Sequence, residues 1–151
     1  MSPSRRRAPL ELDVLDRFRP RTDRALVERV VEAVLDHENR RDLAVSLLLT
    51  GDEEIAELHG RFLGDPTETD VMSFETDGTA DIVVNVARAR REARARGTTI
   101  RAEVALYIAH GLLHCCGHDD HDPDERATMR VAESAVLAKL GLRHAQVDVA
   151  R

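Results

Sequence analysis

Two cysteines, Cys115 and Cys116, are all that the 151 residues contain, and they are adjacent. No disulfide framework can be built from such a pair, so the composition fits a reducing cytoplasm. Apolar runs are short as well. None approaches the roughly 20 residues that span a bilayer, and the opening arginines of MSPSRRRAPLELDV are not followed by the apolar core of a secretion signal. The expected setting is therefore cytoplasmic, without a membrane partner. There is no internal repeat, no low-complexity tract and no linker-like stretch, which excludes a solenoid or a chain of several domains. The chain is also long enough to bury a core without a structural metal.

Hydrophobic residues at 42% and charged residues at 33% describe a globular chain. The formal net charge of −6 argues against indiscriminate nucleic-acid binding. Positive charge is almost all arginine and locally dense: Arg88, Arg90, Arg91, Arg94, Arg96 and Arg101 lie in and just after one helical stretch. That run reads first as a solvated face with Glu92 and Glu103 as partners. Contact with phosphates is the alternative.

Along the chain, Leu10, Leu12 and Val14 alternate as in an edge strand, and Leu26 to Leu35 follow helical spacing. A buried strand is expected over 43–49. Thr50 and Glu53 form a capping-box pattern ahead of a helix ending at Gly64, Asp65 and Pro66. Two strands are expected at 70–74 and 81–86, joined by a surface loop at 75–80. The arginine-rich helix stops at Gly97, another runs from about 100 to 116, and Asp122-Pro123-Asp124-Glu125 launches the last, which ends at Gly141. These elements predict an α+β fold: one domain over 10–142, a small mixed sheet of about four strands packed with about five helices, and tails at 1–9 and 143–151.

The chemistry concentrates in His110-Gly111-Leu112-Leu113-His114-Cys115-Cys116-Gly117-His118-Asp119-Asp120-His121. Residues four apart share a helix face, so His110 and His114 can aim imidazole nitrogens at one ion about 2 Å from each. Gly117 lets the chain leave the helix and return a third ligand. Counting along the long zinc motif HExxHxxGxxH puts that ligand at Asp120, and a one-residue shift would offer His121 instead. His118 continues the i, i+4, i+8 row, but Gly117 breaks the helix before it and turns it elsewhere. One zinc ion on three protein ligands leaves a fourth position for water, whose pKa the metal lowers toward neutrality. Zinc proteases place their general-base glutamate directly after the first histidine; Gly111 stands there, which disfavours peptide hydrolysis. Cys115 and Cys116 read as packing residues at a helix end, with metal or redox roles as the alternative.

Position by position, His110-Gly111-Leu112-Leu113-His114 with Gly117 and Asp119 resembles the signature HGxLHxxGxDH of the YbeY endoribonucleases, with Asp120 where that family usually has its third histidine. Leu58 to Phe74 (LHGRFLGDPTETDVMSF) is similar to the family segment ending TDVLSF, and Asp81-Ile82-Val83-Val84 to the strand that follows it. The resemblance covers about 10–142. It implies a zinc-dependent endoribonuclease acting on single-stranded RNA toward the 3′ end of small-subunit (16S) rRNA and in ribosome quality control, with ribosomal RNA and the small subunit as partners. An upstream arginine of the family falls, counted back from Thr69, at Leu63, and the neighbouring Arg61 is the candidate for stabilising charge on a phosphodiester. A non-catalytic, metal-dependent ribosome assembly or RNA-binding factor and a metalloprotease-like hydrolase are the competing readings.

Overall fold

The computed structural model describes residues 8–144. The expected tails lie outside the described residues apart from 8–9 and 143–144. In chain order the elements are β1 (Leu12–Asp16), α1 (Arg24–Glu38), β2 (Ala44–Thr50), α2 (Asp52–Leu63), β3 (Val71–Thr76), β4 (Thr79–Asn85), α3 (Val86–Arg96), α4 (Ile100–Cys115) and α5 (Pro123–Lys139). The sheet order is β1-β2-β4-β3; β1, β2 and β4 run parallel and β3 is antiparallel to β4. This is the expected four-stranded mixed sheet with five helices.

Val45, Leu47 and Leu49 of β2 and Ala80, Ile82 and Val84 of β4 alternate onto one buried face. Over it lies α4, apolar all round because α1, α3 and α5 enclose what the sheet does not. Its Val104, Ala105, Ile108, Ala109, Leu112 and Leu113 are at most 1% exposed. At Gly111 the helix comes so close to the sheet that an added Cβ would meet Val71 Cγ2 at 3.0 Å and Ile82 Cγ2 at 3.2 Å. The close approach carries His110 and His114 to the edge formed by β3. Met72, opposite Val83, faces away from Ile82; it and Ile55 of α2 are buried outside the main core.

Two local readings are corrected. Thr50 does not cap α2: it is the last residue of β2, where it pairs with Asn85, and its hydroxyl donates to Glu54 Oε1 at 2.6 Å, so Gly51 takes the N-cap position without a side-chain bond. The 75–80 segment is not a loop either. Both strands continue into it, leaving Asp77 (φ 48°) and Gly78 (φ 81°) as a two-residue turn, the Asp-Gly pair whose paired positive φ suits the twist of a hairpin. At the C-terminal end, His144 lies beyond the expected limit of the domain at 142, yet it is buried with its Nε2 2.5 Å from Glu103 Oε1.

Candidate metal centre

His110 and His114 stand one turn apart near the end of α4, rings edge to face at 81° with centroids 4.7 Å apart. Their Nε2 atoms are 3.2 Å from each other. Asp120 Oδ2 lies 3.7 Å from the first and 3.8 Å from the second. Donors bound about 2.0–2.1 Å from one tetrahedral ion sit roughly 3.3–3.5 Å apart, so this triangle needs only a few tenths of an ångström of contraction to close on a cation. The path back to the histidines follows from Gly117, whose φ of 104° is open to glycine and strained for other residues. Asp120 then sits on the turn between α4 and the Asp122 cap of α5.

The orientation of His110 is set from another helix. Its Nδ1 lies 3.2 Å from Oε1 of Glu133, a carboxylate of α5 only 7% exposed. When Nδ1 donates there, Nε2 is left as a lone pair facing His114 and Asp120, the tautomer a metal requires. Burial works against a charged His110, but the bonded Glu133 and the charges of Asp70 and Asp120 outweigh it and hold its pKa above the ordinary value. A site that favours positive charge on this ring is one that favours a cation among these donors.

Two cavities meet at His110. One, of about 150 Å³, is lined by Asp70, Tyr107, Asp120, Arg126 and Arg130 among others. The second, of about 340 Å³, runs past His59, Leu63, Asp70, Phe74 and His114. Asp70 borders both. Its carbonyl accepts from Asn85 N–H at 2.9 Å, and its Oδ1 accepts from the Val71 N–H at 2.8 Å. Asn85, fully buried at the end of β4, also donates to Asp52 at 2.8 Å, Glu68 at 3.0 Å and the Thr69 carbonyl at 3.1 Å, while its Oδ1 caps α3. One asparagine thus pins the loop that delivers Asp70.

The other residues singled out from sequence fall elsewhere. His121 is 81% exposed and lies against Asp119 at 3.0 Å, grouping with Asp119 and Asp120 and not with the two helical histidines. His118 turns away to Glu38 at the end of α1, 2.5 Å off. Arg61 pairs with Glu57 one turn away on α2 and is not among the residues lining either cavity. Most of the arginine run is occupied: Arg91 grips Asp52 at 2.7 Å, Arg88 and Arg91 approach Glu68, Arg96 pairs with Glu92 and Glu103, and Arg101 with Asp23. Partly buried Cys115 and Cys116 pack against the core, and burial pushes their thiols up to about 12 and about 11, which leaves them protonated and inert at neutral pH. Glu133, Asn85 and the arginines of α5 carry no spacing signal in the sequence, and Asp70 is marked there only by its place in the 58–74 motif.

The chain has recognisable relatives among known proteins. The model of the family described as Endoribonuclease YbeY matches residues 15–141. Among curated proteins, one called Endoribonuclease YbeY from Caldanaerobacter subterraneus subsp. tengcongensis is 33% identical over 139 residues, covering 79% of this chain and 88% of its own. Another of that name from Thermobifida fusca is 30% identical over 144 residues, covering 85% and 93%. The solution structure of a Thermotoga maritima protein superposes with a TM-score of 0.64 at 23% identity over 86% of this chain and 91% of that one, a likeness of fold. With a mixed sheet, a histidine pair on α4 and a family match over nearly all of the described residues, the chain belongs to the Endoribonuclease YbeY family.

Proposed function

We propose that this chain is a zinc-dependent, single-strand-specific endoribonuclease that works in the cytoplasm on ribosomal RNA of the small subunit, in maturation of the 16S 3′ end and in ribosome quality control. The observation that carries the reading is the convergence of His110 Nε2, His114 Nε2 and Asp120 Oδ2 within 3.2–3.8 Å of one another at the junction of two cavities. The names of the curated relatives supply the class of reaction.

His110, His114 and Asp120 would hold one ion, with His121 as the alternative third ligand. When bound, zinc supplies Lewis acidity that polarises a phosphoryl oxygen and acidifies water. A His110 proton held on Nδ1 by Glu133 leaves the Nε2 lone pair free to face the ion. Asp70 has Oδ1 engaged by Val71 N–H, leaving Oδ2 to take a proton within the cleft. Leu106 and Met129 wall the smaller cavity and limit the water there. A protease mechanism of the HExxH kind has no place for its base, because a side chain at position 111 would run into Val71 and Ile82.

The test is incubation of the zinc-loaded protein, and of a His114→Ala variant, with structured RNA and with a peptide library. RNA cleavage that disappears in the variant is expected. Peptide cleavage alone would sink the proposal, and RNA binding without cleavage would favour an assembly factor.

A further inference from the structure

Around the smaller cavity the carboxylates of Asp70, Asp120 and Glu133 make a poor landing site for a polyanion. Apart from His110, the cationic side chains lining it are Arg126 and Arg130, and no arginine or lysine lines the larger cavity. They stand one turn apart on α5, on the face that also carries Glu133 toward His110. Both are exposed, and neither has an ion-pair partner among the described residues, whereas Arg61, Arg88, Arg91, Arg96 and Arg101 are all engaged by acidic groups. Even Glu133, three residues from Arg130, is committed to His110.

Two unengaged guanidinium groups lining the same cavity as His110 and Asp120 suit phosphate recognition, for which arginine's planar fork serves two oxygens at once. We propose that Arg126 and Arg130 hold the phosphate backbone of the RNA strand beside the His110, His114, Asp120 cluster, supplying the positive charge that Leu63 and the paired Arg61 of α2 do not. The inference rests on the reading of the chain as an RNA-cleaving protein. Its consequence is directional: the strand enters along α5, and its substrate affinity depends on these two residues more than on the arginine-rich α3.

The experiment measures binding of a fluorescent 2′-O-methyl single-stranded oligoribonucleotide to the full-length, zinc-loaded protein across a KCl series, with cleavage kinetics on the corresponding RNA. Each phosphate contact contributes about 0.7 to the slope of log affinity against log salt for single strands. Arg126→Gln with Arg130→Gln is therefore expected to flatten the slope by about 1.4, to weaken binding roughly tenfold or more, and to raise KM while kcat is retained. The double lysine variant keeps the slope, and Arg94→Gln, an exposed arginine on α3, leaves both slope and KM unchanged. Cleavage with an unaltered slope in the glutamine variant overturns the inference and leaves the nuclease reading standing. A flattened slope in a protein that never cuts RNA keeps the backbone contact and removes the nuclease. No binding of the oligoribonucleotide by the parent protein overturns both.

Discussion

Replacing Glu133 by glutamine isolates the contribution of the residue that orients His110 within the candidate metal centre. The substitution preserves volume on a buried helix position and leaves an oxygen that can still accept from His110 Nδ1, now 3.2 Å from a carboxylate. What disappears is the charge. A hydrogen bond to a charged group contributes about 1.5–3 kcal/mol and a neutral one about 0.5–1.5, so the His110 tautomer that binds metal loses about 1–1.5 kcal/mol of support. Near 1.4 kcal/mol per factor of ten, zinc affinity is expected to fall roughly tenfold, at the lower end of the 10–100-fold known for such supporting groups. Relief of a buried carboxylate's desolvation offsets part of the loss in folding stability, so the metal-free variant stays folded. Competition with a chromophoric chelator at neutral pH reads the dissociation constant, and urea unfolding in EDTA checks the fold. An unchanged zinc affinity in a folded variant would refute the claim that Glu133 tunes the site.

The close approach of α4 to the sheet gives a second expectation. Gly111→Val places a Cβ 3.0 Å from Val71 Cγ2 and adds two methyl groups beyond it, so overpacking should cost about 1–3 kcal/mol, visible as a lower urea midpoint; equal stability would show that the helix can retreat from β3. The Asp52–Arg91 pair gives a pH dependence. Arg91, with help from Asn85, holds the Asp52 carboxyl below its ordinary 3.8; stability from this shift is complete above 3.8 and is lost as pH falls through the lower folded value. The pair is largely exposed, so its contribution is at most about 1 kcal/mol. Unfolding in EDTA should find Asp52→Asn less stable than the parent at neutral pH, the gap closing at pH values below the folded pKa; a gap that widens in acid would contradict the assignment.

The first two candidate metal ligands were legible because helical spacing alone puts His110 and His114 on one face, and Gly117 marks where the helix must release the chain. The choice between Asp120 and His121 was not, since one residue of shift in a turn is decided by how α5 docks. The Asp122 cap and Pro123 were readable, but the distance from α5 to α4 was not. Glu133 was illegible for the same reason: it meets His110 across 23 positions of sequence. In the sequence Gly111 signals a missing catalytic base and one position of a motif, whereas its packing against β3 and β4 is tertiary. The capping-box pattern at Thr50 failed because β2 pairing with β4 claimed that residue first. Alternation found β3 and β4 but stopped short of polar strand ends at Glu75, Thr76 and Thr79, which pairing alone extends.

Metal content after equilibration with zinc and gel filtration, compared across the parent, His114→Ala, Asp120→Ala and His121→Ala, tests the centre most directly. One zinc per chain is expected in the parent and in His121→Ala, with loss in the other two, because Asp120 Oδ2 and not His121 stands within 3.8 Å of both histidine nitrogens. Full occupancy in Asp120→Ala with loss in His121→Ala would contradict that ligand set, and full occupancy in both would contradict a three-ligand centre.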